Sequence, residues 1–115
     1  MKKVALFAFN GDSMCFIHVL LNALDMHEKQ MEATIVLEGA ATRLVPELVR
    51  DGSPLYQLYE KAKTLGLIAG VCKACATKMG TLEAAKAQGL PLLDDMHGHP
   101  GMARFREAGF DIITF

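Results

Sequence analysis

Residues 67–75 read LIAGVCKAC, an apolar run that stops at a pair of cysteines. The run has the length and composition of a strand buried on both faces, and the residues after Cys72 are compatible with a helix. A strand that leads directly into a helix is the repeating unit of open α/β sheets, which present ligands and reactive groups at the carboxyl ends of their strands. This stretch therefore predicts both the fold class and the place of the chemistry.

The same alternation of strand and helix extends in both directions from the cysteine pair. Apolar runs predict strands at residues 3–9, 33–38, 67–71, 90–93 and 110–115. Helical spacing, N-caps and terminating glycines predict helices at 14–28, 44–49, 54–65, 81–88 and 100–108, with a further short helix after the cysteine pair. We therefore predict one α/β domain over residues 1–115, a three-layer α/β/α sandwich with a mostly parallel sheet of four to five strands.

Composition excludes several functional classes. The 115 residues carry a net charge of only -1, with neither a basic stripe nor an acidic tail, so nucleic acid is not expected as a partner. No apolar stretch approaches the roughly 20 residues that span a bilayer, so no membrane association is expected. The start of the chain mimics a signal peptide, but Asn10-Gly11-Asp12 interrupts the apolar run early, which favours a first strand. Three cysteines, an odd number, predict reduced thiols and a cytoplasmic protein.

The cysteine pair is the strongest candidate for chemistry. The spacing Cys72-x-x-Cys75 allows a disulfide, or allows one thiol to attack a persulfide carried by the other. The neighbouring Lys73 and the start of a helix are both expected to favour thiolate. The alternative is that both cysteines are inert, small apolar residues packed at a strand end. Thioredoxin chemistry is disfavoured because the chain contains no tryptophan.

The loop His97-Gly98-His99 offers two further possibilities. Either histidine could accept a proton from a thiol if the loop approaches the cysteines. Both histidines could also join Cys72 and Cys75 as zinc ligands, but structural zinc sites usually separate their histidines by three to five residues, and here one residue separates them. We therefore predict no metal and no other cofactor. The simplest interpretation is a glycine-rich loop that leads into a helix starting with Pro100.

Two residues from the first strand–helix connection belong to the same predicted edge of the sheet. Asn10 lies in the turn after the first strand, and Cys15 lies in the first turn of the first helix. Both are candidate binding residues. The alternative is that Asn10 only forms the turn and that Cys15 only packs in the core.

The order of motifs along the chain resembles the DsrE/DsrF-like family of small sulfur-relay proteins. The matching segments are Leu21-Asn22-Ala23-Leu24, Ala74-Cys75, Gly98-His99-Pro100 and Glu107-Ala108-Gly109-Phe110-Asp111-Ile112-Ile113. The resemblance implies an α/β/α sandwich that assembles as homotrimers or homohexamers. Seven methionines and a mean hydropathy of +0.22 agree with self-association. The resemblance also implies a persulfide-accepting cysteine after the third strand, which Cys75 matches best, with Cys72 as an extra thiol.

Together these observations predict a cytoplasmic sulfur carrier. Cys75 would accept sulfur, Cys72 would resolve the persulfide or form a regulatory disulfide, and Lys73 would lower the thiol pKa. Sulfur-donor or sulfur-acceptor proteins would be its partners. The alternative prediction is a non-catalytic oligomeric protein that binds a small ligand or a partner and whose thiols are inert.

Overall fold

Five strands and six α-helices alternate along the computed structural model, which describes all 115 residues. The strands are β1 (Lys3–Ala8), β2 (Glu32–Leu37), β3 (Ile68–Cys72), β4 (Leu92–Leu93) and β5 (Asp111–Thr114). The helices are α1 (Ser13–Glu28), α2 (Val45–Leu48), α3 (Tyr56–Thr64), α4 (Lys73–Met79), α5 (Leu82–Ala87) and α6 (Met102–Glu107), and a 3₁₀ helix (Gly39–Leu44) precedes α2. None of these helices combines the length and the apolar composition that crossing a membrane would require.

The strands form one sheet in the order β4-β3-β2-β1-β5, and every neighbouring pair is parallel. The first four strands are added in one direction, and β5 then returns to the free side of β1. Crossovers between parallel strands are right-handed. The reversal of direction between β4 and β5 therefore places the connecting helix, α6, on the other face of the sheet. The prediction of an α/β fold with a parallel sheet is confirmed.

Side chains alternate between two apolar cores, one on each face of the sheet. The larger core contains 22 buried residues, among them Leu6 of β1 and Val19 of α1. The smaller core contains five buried residues, including Phe7 and, from α6, Phe105. The rings of Phe7 and Phe105 meet edge to face, with their centroids 5.3 Å apart. Helices therefore cover both faces, as an α/β/α sandwich requires, with only α6 on the second face.

An irregularity in β3 sets the position of its last residues. The register with β2 shifts within the strand, since Ile35 pairs with Ile68 and Val36 pairs with Gly70. Gly70 has a φ of +155°, and a Cβ at this position would lie 2.5 Å from the carbonyl oxygen of Pro91. Glycine therefore lets β3 approach the chain leading into β4. Because all five strands are parallel, their carboxyl ends meet at one edge of the sheet, where β3 ends at Cys72.

Candidate functional site

The two cysteines lie at the junction between β3 and α4. Cys72 is the last residue of β3 and the N-cap of α4, and its Sγ accepts the backbone N–H of Cys75 at 3.3 Å. This contact uses a thiol where serine or aspartate more commonly caps a helix. Cys72 is fully buried, whereas Cys75, one turn along, is partly exposed. The capping geometry therefore turns both sulfur atoms to the same side of the sheet edge.

A tight turn carries His99 back over the cysteines. Met96 and His99 form a two-residue antiparallel bridge, with N–O distances of 2.7 and 2.9 Å between their backbones. The two residues between them, His97 and Gly98, both have positive φ, +51° and +88°, as a type I′ turn requires. The carbonyl oxygen of Gly98 accepts the N–H of Ala74 at 2.9 Å, which fixes the turn to the start of α4.

This turn separates the two histidines that the sequence offered as alternatives. The Nδ1 atom of His99 lies 3.1 Å from Cys72 Sγ and 3.6 Å from Cys75 Sγ. His97 occupies the exposed tip of the turn and makes no side-chain hydrogen bond or ion pair. The loop therefore reaches the cysteines through His99 and not through His97.

Glu38 is the fourth member of the site, and no sequence motif singled it out. It follows β2 directly, is only 6% exposed, and places Oε1 3.5 Å from Cys75 Sγ and 3.7 Å from His99 Nδ1. The ligand atoms of Glu38, Cys72, Cys75 and His99 all lie within 4.8 Å of one another. We call these four residues the thiol cluster. The only indication of Glu38 in the sequence was its position directly after an apolar strand. The strand order was needed to show that β2 and β3 are neighbours, which brings Glu38 to the cysteines.

The electrostatics of the site correct one expectation for Cys72. Burial raises the pKa of the Cys72 thiol well above its ordinary value, and the hydrogen bond from the Cys75 N–H lowers this pKa only partly. The Cys75 thiol and the hydrogen-bonded, negatively charged Glu38 carboxylate raise it further. Cys72 is therefore held as a neutral thiol, whereas the helix start and the neighbouring lysine predicted surroundings that favour thiolate.

Lys73 forms an ion pair at the surface with Asp94. Its ammonium group lies 3.8 Å from the carboxylate of Asp94, and both side chains are about half exposed, at 51% and 56%. The side chain of a residue that follows the N-cap points away from the cap, so the lysine extends into solvent. The role predicted for Lys73 toward the thiols stays a prediction.

Asn10 and Cys15 lie outside the thiol cluster. Asn10 is exposed, and its Oδ1 accepts the N–H of Asp12, whose own carboxylate caps α1 through the N–H of Met14. Cys15 is partly buried in the first turn of α1 and makes no side-chain hydrogen bond. In this structure Asn10 shapes the turn after β1, and Cys15 packs beside it.

The thiol cluster is close-packed and is not part of a cavity. The only surface pocket, with a volume of about 220 Å³, lies at the opposite end of the sheet and is lined by Met1, His27, Gln30, Met31 and Glu32. Access to the cluster is through Cys75 and the His99 ring, whose side chain is 39% exposed.

Two archaeal proteins are similar in sequence to this chain. A protein of Methanocaldococcus jannaschii, described as uncharacterized protein MJ0733, is 34% identical over 97 residues, which cover 84% of this chain and 77% of that protein. An uncharacterized protein of Archaeoglobus fulgidus is 37% identical over 59 residues, which cover 51% of this chain and 95% of that protein. No protein-family model and no solved structure matches the chain.

Proposed function

Because the chain belongs to the same protein family as the uncharacterized protein MJ0733, whose description names no activity, we propose a function from the site itself. The protein is a sulfur carrier that holds sulfane sulfur as a persulfide on Cys75. The observation that carries this proposal is a partly exposed thiol within 4.8 Å of a second thiol, an imidazole and a carboxylate. The resemblance to the DsrE/DsrF-like sulfur-relay proteins at Ala74-Cys75 supports it.

Exposure favours Cys75 over Cys72 as the acceptor. A donor persulfide can reach the Cys75 sulfur from solvent, whereas the Cys72 sulfur is fully buried and its raised pKa keeps it protonated. In the loading step the Cys75 sulfur attacks the outer sulfur of a donor persulfide, R–S–SH. The new S–S bond forms as the donor S–S bond breaks, and the products are the Cys75 persulfide and R–SH. Nδ1 of His99, 3.6 Å from the Cys75 sulfur, accepts the thiol proton.

Unloading has two balanced routes. A thiol acceptor, R′–SH, can attack the outer sulfur, leaving R′–S–SH and the Cys75 thiol. Alternatively, Nδ1 of His99, 3.1 Å from the Cys72 sulfur, accepts the Cys72 proton as this sulfur attacks the inner sulfur of the Cys75 persulfide. The hydrosulfide leaving group takes up that proton, the products are a Cys72–Cys75 disulfide and hydrogen sulfide, and a cellular dithiol then reduces the disulfide by exchange. Closing this disulfide requires the two sulfur atoms to approach to about 2.05 Å from within the 4.8 Å cluster.

The small size of the site favours this proposal over binding of an organic ligand. The chain has no cavity at the thiol cluster, and its one pocket lies at the other end of the sheet. Binding sites for organic ligands are usually concave and enclose most of the ligand surface. A single sulfur atom attached to Cys75 needs no such cavity.

We further propose that the protein is cytoplasmic and that it assembles as a homotrimer or homohexamer. Free cysteines suit a reducing compartment, and all three cysteines in this chain are free. Several large apolar side chains are exposed on a single chain, among them Met14 at 70%, Leu21 at 44% and Met96 at 49%. Contacts between subunits would cover such residues.

Mass spectrometry of the reduced protein tests the carrier function directly. After incubation with a low-molecular-weight persulfide, we expect a mass increase of one sulfur atom that peptide mapping assigns to Cys75. The variant Cys75→Ser should lose this adduct, whereas Cys15→Ser, which removes a thiol outside the cluster, should keep it. Cys72→Ser should load normally but release no hydrogen sulfide. An unmodified Cys75, under conditions that load a known carrier, would refute the proposal.

A further inference from the structure

The thiol cluster has the composition and spacing of a metal centre. Two thiols, one imidazole and one carboxylate converge from three separate segments: the end of β2, the β3–α4 junction and the turn before α6. Each of these groups is a ligand that zinc uses in proteins. Cysteine sulfur disfavours Mg²⁺ and Ca²⁺, which require oxygen ligands.

Four of the six separations within the cluster lie close to the edges of a coordination tetrahedron, and the other two are below 4.8 Å. With Zn–S of about 2.3 Å and Zn–N or Zn–O of about 2.0–2.1 Å, a regular tetrahedron has S–N and S–O edges of about 3.5–3.6 Å and an N–O edge of about 3.4 Å. In the structure Cys75 Sγ lies 3.6 Å from His99 Nδ1 and 3.5 Å from Glu38 Oε1. His99 Nδ1 lies 3.7 Å from Glu38 Oε1 and 3.1 Å from Cys72 Sγ. Shifts of about half an ångström at most would bring these four edges to the tetrahedral values.

The charge around Glu38 is a second, independent observation. This carboxylate is nine-tenths buried, and its polar neighbours in the cluster are the Cys72 and Cys75 thiols and the His99 imidazole. Burying a carboxylate is costly unless a positive charge or several hydrogen bonds compensate it. The adjacent lysine, Lys73, is paired with Asp94 at the surface. The Glu38 carboxylate accepts a hydrogen bond from the Cys75 thiol, and a cation in the centre of the cluster would add a positive charge beside it.

We propose that Glu38, Cys72, Cys75 and His99 bind one Zn²⁺-class cation per chain. The proposal goes beyond sulfur transfer and does not depend on it. It also differs from the ligand set that sequence spacing offered, because Glu38 takes the place of His97. Histidine spacing does not bear on this ligand set, because the four residues come from three separate segments at the sheet edge, whereas the spacing rule describes compact motifs in which both histidines lie on one element.

Titration of the reduced, chelator-treated protein with Co²⁺ tests the site, because Co²⁺ substitutes for Zn²⁺ and is coloured. We expect one Co²⁺ per chain, a thiolate-to-metal charge-transfer band, and visible bands of the high intensity typical of tetrahedral coordination. Stoichiometric Zn²⁺ should then abolish the visible spectrum. Because even outer partners of metal ligands change affinity by about 10–100-fold, loss of a direct ligand should weaken Co²⁺ binding by at least about 100-fold.

Matched variants separate the cluster from adventitious ligands. His99→Gln should lose tight binding, and His97→Gln, two residues away in the same turn, should keep it. At saturating Co²⁺, Cys75→Ser should lose part of the charge-transfer band, because Cys72 remains as the one thiolate ligand, and Cys15→Ser should keep the whole band. Glu38→Gln, which preserves the shape of the side chain, should weaken binding, with circular dichroism showing that the variant is folded.

Two results would overturn the metal site. One is an octahedral Co²⁺ spectrum or no saturable binding by the folded wild-type protein. The other is equal loss of affinity in His97→Gln and His99→Gln. Sulfur loading is measured separately, in the presence of chelator, so failure of one proposal leaves the other standing. Metal binding without loading would refute only the carrier, and loading without metal binding would refute only the site proposed here.

Discussion

Replacing Gly98 with alanine should weaken the site without unfolding the protein. Gly98 has a φ of +88°, and it lies at the centre of the turn that returns His99 to the cysteines. An added Cβ would lie 3.3 Å from the Cβ of Ala74, a close contact that requires a small displacement of the turn. Gly98→Ala therefore strains the backbone and also displaces the carbonyl oxygen of residue 98, which accepts the N–H of Ala74 at the start of α4.

The size of the effect follows from the cost of the left-handed conformation. For alanine this cost is about 1–2 kcal/mol, and the reduced freedom of the unfolded chain offsets about 0.4–1 kcal/mol of the change in global stability. The net loss in the free energy of unfolding should therefore be about 1 kcal/mol. In the folded variant, the turn can relieve the full strain of about 1–2 kcal/mol by moving away from α4. Binding of Co²⁺ then has to restore the strained position, so this whole cost weakens binding. Since about 1.4 kcal/mol corresponds to a factor of ten, the affinity for Co²⁺ should fall by about tenfold.

Gly52→Ala is the matched control for this prediction. Gly52 has a φ of +84°, but no atom lies within 4 Å of the position that an added Cβ would occupy, and it lies in the turn between α2 and α3 and not in the thiol cluster. Both variants should lose similar stability in urea denaturation, but only Gly98→Ala should lose affinity in the Co²⁺ titration. Equal Co²⁺ affinities in the two variants would show that the turn does not position His99, and the reasoning would be wrong.

Four further outcomes are expected. Burial raises the pKa of Tyr59 from 10.0 to about 12, with a smaller contribution from the charge of Glu60. The stability that the neutral phenol contributes is therefore complete below about pH 10 and is lost as pH rises toward 12. Urea denaturation across this range should show a decline in the wild-type protein that exceeds the decline in Tyr59→Phe by up to about 3 kcal/mol, because the raised pKa of Cys72 acts in both proteins; an equal decline in both would contradict the assignment. Gly70→Ala forces a Cβ to within 2.5 Å of the Pro91 carbonyl oxygen and should lower the free energy of unfolding by about 1–3 kcal/mol in the same assay, and an unchanged midpoint would show that β3 and β4 are not so closely packed. If both proposals hold, one equivalent of Zn²⁺ should block persulfide loading of Cys75, and chelator should restore it; loading of the metal-bound protein would show that Cys75 is not a ligand. Native mass spectrometry should give a trimer or hexamer, and a monomer at micromolar concentration would contradict the proposed assembly.

Much of the architecture was predictable from local sequence patterns. Buried parallel strands are short apolar runs, and helix ends are marked by caps and glycines, so each segment carries its own signal. The apolar run before Cys72 predicted β3, and the parallel arrangement of strands placed the cysteine pair at the carboxyl edge of the sheet. The capping contact between Cys72 and Cys75 spans only three residues and is likewise a local property.

The membership of the thiol cluster was decided by tertiary structure. Glu38 became a neighbour of Cys75 because β2 lies beside β3 in the sheet, a pairing that no local pattern specifies. His99 and not His97 faces the sulfur atoms because the turn between them reverses the chain and then attaches to α4. The burial that raises the pKa of Cys72 arises in the same way, from segments distant in sequence. Local patterns encode the elements because short-range sterics and hydrogen bonds form them, whereas the site depends on packing between elements, which only the folded chain determines.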